Sequence, residues 1–248
     1  MKSFWLADEV LNWSAESEGG HILDTRKAQR AYDHLSRAEH FLNSPKPASA
    51  DRADCISNLR KALTHRLHLF EDVYNLRPAL NKGQKRAYLA VLAEAGVVRP
   101  FLLERLLKVR NAIEYRDAAP PSVARCHEFI DVVWYLLRST DSLLSLKRTD
   151  LILRQLDDGD EEPPYWISID ITYRPTFRVR GCGWLPFELF SERSTVGTLE
   201  FKGEVGTRGQ RWKNKAHLDK RPEDIWLNGQ LILAPRQSLR LIKVALSC

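Results

Sequence analysis

Cysteine is scarce and dispersed in this chain. The four cysteines among 248 residues are Cys55, Cys126, Cys182 and Cys248, and no CxxC pair occurs. Structural zinc sites need clustered ligands, so this spacing argues against one. With 44% hydrophobic residues the chain can form a core without a disulfide framework. The sequence therefore predicts reduced thiols, with no bound metal and no other cofactor.

Long apolar runs and the common catalytic loops are also missing. No run reaches the roughly 18 apolar residues of a membrane-spanning helix, and the first residues lack the apolar stretch of a signal peptide. The patterns GxxxxGK, GxGxxG after a strand and GxSxG do not occur, which excludes the common nucleotide enzymes and hydrolases. We expect a soluble, cytoplasmic protein with no membrane partner.

Charge is only mildly unbalanced. The formal net charge is +6 and the isoelectric point is about 9.2. Such an excess of cations permits a polyanionic partner through phosphate neutralisation, but it does not require one.

Helical periodicity dominates the first 145 residues or so. Apolar side chains recur at steps of three and four. This spacing predicts helices over residues 3–17, 22–43, 54–76, 84–95 and 99–116, and another after Ser122, which is a suitable N-cap. In the third helix the apolar residues lie on one face, with Arg60, Lys61, His65 and Arg66 on the polar face. Amphipathic helices joined by short loops predict a bundle.

The composition changes at the acidic, proline-ended segment of residues 157–164, DDGDEEPP. Its acids lack the spacing of a calcium loop, so we interpret it as a solvated linker. Beyond it, apolar and polar residues alternate as in strands, in the segments WISIDITY, FRVRGCGW, FELF, TLEFKGEV, IWLNGQLIL and LRLIKVAL. The sequence predicts an α+β fold: an all-α bundle in residues 1–150, an acidic linker in 151–164, and a smaller antiparallel β sandwich or barrel-like domain in 165–248.

One short segment indicates a possible site for a chemical reaction. The fifth helix ends with Arg110-Asn111-Ala112-Ile113-Glu114-Tyr115. Together with the helical pattern of residues 20–146, it resembles the HEPN superfamily, whose motif joins an Arg and a polar neighbour to a His four to six positions later. The resemblance implies a dimeric helical domain that acts on RNA as a metal-independent endoribonuclease, often in a toxin–antitoxin or other defence system. It implies that Arg110 holds a phosphate, that Asn111 shapes the catalytic site, and that Tyr115 stands in the position of the histidine.

Tyr at position 115 departs from that pattern. A His with a pKa near 6.5 can exchange protons with RNA at neutral pH, whereas at pH 7 only about a thousandth of an ordinary Tyr is ionised. The sequence therefore predicts an RNA- or nucleotide-binding homodimer with weak or no nuclease activity. An active ribonuclease would need another proton carrier, such as His127.

A structural interpretation of the same residues stays open. Arg110 and Glu114 are spaced i,i+4 and can form an ion pair, and Tyr115 can simply pack at the helix end. The chain would then be a non-catalytic interaction module with a protein partner.

A second nucleic-acid candidate lies in residues 208–221, RGQRWKNKAHLDKR, which hold six Lys or Arg and one acid. Cations with an interleaved aromatic suit single-stranded nucleic acid. The candidate binding residues are Arg208, Arg211, Trp212, Lys213 and Lys215. The alternative is a solvated hairpin loop.

Two further patterns carry weaker hypotheses. His65 and His68 have a spacing that metal ligands can use, but no third ligand is evident. Gly181-Cys182-Gly183 can expose a thiol, although a plain turn is the preferred interpretation because no paired base is visible.

Overall fold

The structure, a computed structural model, describes residues 3–24, 26–80, 87–155, 165–207 and 223–247. Its helices are α1 (Arg26–His40), α2 (Ser49–Val73), α3 (Leu76–Ala79), α4 (Tyr88–Glu94), α5 (Pro100–Arg116), α6 (Val123–Ser145) and α7 (Pro235–Ser247). Its strands are β1 (Ser3–Ala7), β2 (Ser14–Ile22), β3 (Leu146–Arg154), β4 (Trp166–Thr172), β5 (Arg178–Leu185), β6 (Phe190–Ser191), β7 (Thr198–Thr207) and β8 (Ile225–Ile232). Helices and an antiparallel sheet are both present, so the α+β class is confirmed.

The helical unit comprises residues Ile22–Asn75 and Gln84–Lys147. Helix α2 contacts α1, α4, α5 and α6. Its inward stripe includes Ile56, Leu59 and Leu63, all with no exposed surface. The predicted helices 22–43, 54–76, 84–95 and 99–116 correspond to α1, α2, α4 and α5. Ser122 caps α6 as expected, because its Oγ accepts a hydrogen bond from the backbone N–H of Arg125 at 3.3 Å.

The other unit is built on the sheet. It comprises residues Met1–His21, Leu76–Gly83 and Arg148–Cys248. The strand order is β2-β3-β4-β5-β8-β7-β1-β6, so the sheet is open, with β2 and β6 at its edges. The described strands thus form one open sheet, and the barrel-like closure expected from the sequence is not observed.

Along β4, β5, β8 and β7 the side chains alternate between two faces. One face is buried and apolar, with Ile167, Ile169, Val179, Leu227 and Phe201 each at most 1% exposed. The opposite face is partly exposed and combines polar side chains with several tryptophans. This alternation is typical of an antiparallel sheet with one covered face.

The prediction of a helix over residues 3–17 is wrong. Those residues form β1, a 3-10 helix (Asp8–Asn12) and the start of β2. Strand β1 pairs with both β6 and β7, so it lies inside the sheet. The first 21 residues accordingly group with the sheet, whereas the sequence assigned them to the bundle.

The end of the chain also differs from expectation. The segment LRLIKVAL, interpreted as a strand, belongs to α7, which buries Leu241, Ile242 and Ala245 at helical spacing. The segment FELF forms a 3-10 turn (Phe187–Leu189) before the two-residue strand β6. The other alternating segments correspond to β4, β5, β7 and β8.

The predicted linker of residues 151–164 begins inside a strand, because β3 continues to Arg154. Its acidic part, within residues 156–164, lies outside the described residues. No helix in the described part of the chain is long and apolar enough to cross a membrane.

Candidate functional site

Helix α5 positions the HEPN-like motif. Pro100 stands at its start, where a missing N–H costs nothing, and Asp117 ends it in the left-handed conformation with φ of 50°. The residues of α5 that are buried are Leu103, Leu106 and Arg110, at steps of three and four. Arg110 therefore lies on the inward stripe of the helix, where an apolar residue would be expected.

The structure brings the three predicted motif residues together. Nη1 of Arg110 donates to Oδ1 of Asn111 at 3.1 Å and to the hydroxyl of Tyr115 at 3.5 Å. The Arg110 guanidinium also lies over the Tyr115 ring, 5.3 Å from its centroid, which is a favourable cation–π distance. One guanidinium thus orients both partners.

Arg110 is also ion-paired along its own helix. Its Nη2 bonds Oε2 of Glu114, so the i,i+4 pair considered from the sequence is present. Arg110 is 9% exposed, and its buried Nε has no hydrogen-bond partner among the described residues. Most of the guanidinium donors of Arg110 are used in contacts with neighbouring side chains. The motif side chains that remain accessible to a ligand are those of Asn111 and Tyr115.

Tyr115 is the exposed member of the motif, with 74% of its surface accessible. The hydrogen bond and positive charge of Arg110 lower the pKa of the Tyr115 phenol, and the charge of Arg60 on α2 acts in the same direction. Two cations from different helices therefore create a positive field at the phenol oxygen.

The described residues bring no histidine into contact with this cluster. His127 lies exposed on α6. Within the described residues, no hydrogen bond or ring contact joins a histidine to Arg110 or Tyr115. The arrangement can hold an anion, and the only titratable hydroxyl in it is that of Tyr115.

His65 and His68 line a cavity of about 460 Å³ between α1 and α2. Three cations share the lining, namely Arg26, Lys27 and Arg30, and Asp24 and Asp72 are also present. Burial and the neighbouring charges of His34 and Arg30 lower the pKa of His65, which stacks on His34 at 5.1 Å. In the described part of the chain no group of three or more His, Cys, Asp or Glu side chains is placed to hold a metal ion.

Arg66 is the polar residue that the sequence misplaced. It was assigned to the exposed face of α2, but it is 1% exposed. Its Nη2 donates to Oδ1 of Asp141 at 2.9 Å, and Oδ2 of Asp141 accepts from the Tyr32 hydroxyl at 2.6 Å. The spacing Leu63–Arg66–Phe70 already placed Arg66 near the apolar stripe, so this signal was available in the sequence.

The remaining candidate residues lie in other parts of the chain. Gly181, Cys182 and Gly183 lie inside β5, so the interpretation as a turn is wrong. Cys55, Cys126 and Cys182 form no disulfide bond with one another, and the first two are buried. The basic segment with Arg208, Arg211, Trp212, Lys213 and Lys215 lies outside the described residues, as does Cys248.

Comparison with known proteins gives no family to which the chain can be assigned: no family model matches it, and no curated protein or solved structure is significantly similar to it.

Proposed function

We propose that this protein binds RNA or a nucleotide at the C-terminal end of α5, as a HEPN-like protein with weak or no nuclease activity. The observation that carries the proposal is the convergence of Asn111 and Tyr115 on the Arg110 guanidinium, with Tyr115 exposed in the positive field of Arg110 and Arg60. A phosphate carries the charge and the acceptor oxygens that such a cluster attracts.

Each residue has a separate role in this proposal. The Tyr115 hydroxyl and the Asn111 amide donate hydrogen bonds to phosphate oxygens. Arg110 is a positioning residue, since its guanidinium is largely buried and already bonds Tyr115, Asn111 and Glu114. Arg60 adds a second positive charge from α2.

Binding without efficient cleavage follows from the proton chemistry. Cutting RNA requires a group that takes a proton from the ribose hydroxyl and another that protonates the leaving oxygen. A phenol is a weaker proton acceptor near neutral pH than an imidazole, so Tyr115 is better suited to donating a hydrogen bond than to taking a proton. The role in a toxin or defence system stays a prediction from the resemblance.

Fluorescence anisotropy with labelled single-stranded RNA at low and high salt tests the proposal. Tyr115→Ala and Asn111→Ala are the central variants because both residues are exposed and should leave the fold intact. We expect each to weaken binding by about three- to tenfold. Arg105→Ala is the matched control, since Arg105 is an exposed cation on the same helix.

Absence of salt-sensitive RNA binding, or equal binding by all of these variants, would overturn the proposal. The same samples incubated with RNA and separated on a gel report cleavage. Cleavage lost in Tyr115→Phe would instead support the active-ribonuclease alternative.

A specific observation favours the interaction-module alternative as a second candidate. Helices α5 and α6 expose Phe101 (71%), Leu102 (41%), Trp134 (38%) and Tyr135 (67%). Leu103 and Leu136, which are chain neighbours of these residues, belong to one buried cluster. Large apolar side chains that stay exposed on a helical surface are typical of protein interfaces.

Under this second candidate the surface joins two copies of the chain. Light scattering coupled to size exclusion would then give a dimeric mass for the native protein and a monomeric mass for Phe101→Glu/Tyr135→Glu. A native monomer across the micromolar range would exclude the dimer, and unchanged dimers in the variant would place the interface elsewhere.

A further inference from the structure

The polar face of the sheet contains a second concentration of cations, in a different unit from Arg110. In the register of β4, β5, β8 and β7, Asp170, Arg180, Gln230 and Lys202 lie side by side in one row. The next row in the direction of the β4–β5 turn contains Thr172 and Arg178. Residues directly opposite each other in an antiparallel pair point to the same face, so these side chains share one surface.

A cavity of about 470 Å³ lies on this surface. Its polar lining consists of Thr172, Thr176, Arg178, Arg180, Lys202 and Gln230. Every one of these side chains can donate a hydrogen bond, and three of them are cationic. Among the residues that the structure describes, no acidic side chain is part of the lining.

The two arginines are the available cations of the cavity. Arg178 and Arg180 are both exposed, and neither forms an ion pair with any described residue. Asp170 lies opposite Arg180 in the register, but the two side chains form no ion pair. Lys202 is partly neutralised, because its Nζ lies 3.1 Å from Oε1 of Glu200.

An aromatic row lies on the same face, four residues along the strands. Trp166, Trp184 and Trp226 occupy neighbouring positions, with ring centroids of Trp184 and Trp226 5.1 Å apart. At about 3.3 Å per residue, the row is roughly 13 Å from the Arg180 row. Trp166 and Trp226 are partly exposed, so a base further along a single strand can contact this end of the face while a phosphate of that strand occupies the cationic end.

We infer that the cavity between Arg178, Arg180 and Gln230 is a binding site for the phosphate group of a nucleotide or of a single-stranded nucleic acid. The two guanidinium groups supply forked donors, and the Thr and Gln side chains supply neutral donors around them. This site does not depend on the motif in α5, because all of its residues belong to the sheet unit.

Isothermal titration of the full chain at low salt tests the inference, with three separate ligands: inorganic pyrophosphate, a nucleoside monophosphate and a short single-stranded RNA. The variant Arg178→Gln/Arg180→Gln removes both charges while keeping polar side chains of similar reach. We expect its affinity for every ligand that the native chain binds at this site to fall at least about tenfold. Arg193→Gln is the matched control, as an exposed arginine of the same unit outside the cavity, and it should bind like the native chain.

The three ligands distinguish the sources of the phosphate. If only pyrophosphate binds, the ligand of the site is a small phosphate-containing anion. If RNA binds more tightly and also quenches tryptophan fluorescence, the ligand is a nucleic acid. Arg178→Lys/Arg180→Lys should retain part of the affinity, because the charges remain and the forks are lost. The inference is overturned if no ligand binds the native chain, or if the double Gln variant, with an unchanged melting temperature, binds as the native chain does. Loss of binding in Tyr115→Ala with full binding in the double Gln variant would leave the α5 proposal standing and remove this one.

Discussion

Tyr115 gives the proposed α5 site a pH dependence that a histidine would not. The neutral phenol donates to phosphate, whereas the phenolate repels it. Because Arg110 and Arg60 lower the pKa of Tyr115 from its ordinary value, ionisation begins at a lower pH than in a free tyrosine. RNA affinity should fall as the pH rises through this lowered pKa.

The measurement is RNA anisotropy between pH 7 and pH 10, with Tyr115→Phe as the comparison. Phe lacks the hydroxyl, so we expect weaker binding at pH 7 and a shallower decline above it. Parallel curves for the two proteins would show that the phenol does not contact the ligand.

Tyr32 links folding stability to alkaline pH. Burial, together with its hydrogen bond to Asp141, raises the pKa of Tyr32 to about 12. The ordinary pKa of tyrosine is about 10, so the unfolded chain releases this proton before the folded one does. The stabilising contribution is fully present below about pH 10 and is lost as the pH rises towards 12.

Urea unfolding of the native chain and of Tyr32→Phe at pH 8, 9, 10 and 11 tests this linkage. The difference in unfolding free energy between the two proteins should shrink from pH 10 to pH 11 and should be constant between pH 8 and pH 9. A difference that grows with alkaline pH contradicts the assigned direction.

At the residue scale, sequence reasoning found local groupings and missed distant ones. Arg110, Asn111 and Tyr115 are one and five positions apart on a helix, so their proximity follows from helix geometry. The pairing of Arg66 with Asp141 does not, because the two residues are 75 positions apart in the chain. Periodicity shows on which face of a helix a side chain lies, but it does not show whether a carboxylate from a distant part of the chain forms an ion pair with it.

At the level of elements, the close approach of β7 and β8 depends on two glycines. Gly203 and Gly229 lie opposite each other, and a Cβ built on Gly203 would be 2.6 Å from the Cα of Gly229. The Phe201 ring covers the same spot at 2.8 Å. Gly203→Ala should therefore lower the unfolding free energy by about 3 kcal/mol, since backbone and ring must both shift.

Gly19→Ala is the matched control in chemical denaturation. Gly19 is also in a strand, but nothing lies within 4 Å of a Cβ placed there. Its effect should stay within about 0.5 kcal/mol. Equal effects of the two substitutions would mean that the close approach of β7 and β8 does not limit the side chain at 203.

The misassigned elements share a physical cause. In residues 3–17 the apolar side chains fall at steps of three and four only because a 3-10 turn, which buries Val10 and Leu11, separates two strands. In α7 the segment LRLIKVAL fits the periodicity of a strand as well as that of a helix. Pro235, at the first helical position, was the residue that favoured a helix. The apolar face of a long helix such as α2 fits helical periodicity only. The bundle helices were therefore predicted well.

At the scale of the whole molecule, the first residues of the chain complete a sheet whose other strands follow the helical unit. Deletion of residues 1–13 should unfold the sheet unit. It removes the interior strand β1 and the buried Leu6, Val10 and Leu11, each at most 2% exposed. Burial of such side chains contributes about 1.5–3 kcal/mol each, so together they approach the total stability of an ordinary domain. It also removes Asp8 and Asn12, which bond Arg240 of α7.

Near-ultraviolet circular dichroism, which reports the packed tryptophans of β4, β5 and β8, should lose its structured signal in the deletion variant. Glu9→Ala, a change at an exposed position of the same segment, should keep it. Retention of the native signal after deletion would show that β1 is dispensable. No sequence pattern indicated this pairing, because Ser3 and its partner Lys202 are separated by nearly the whole chain.

The position of β1 between β6 and β7 also sets an order of events on the ribosome. Residues 3–7 leave the exit tunnel before their partners at 190–191 and 198–207, which are made only after the helical unit. At a translation rate of about 5–20 residues per second, the segment SFWLA stays unpaired for roughly 10 to 40 s before its partner strands are made. During that interval its apolar side chains and unpaired backbone are accessible to chaperones and to other nascent chains, so the yield of native protein should depend on how fast the second half is translated.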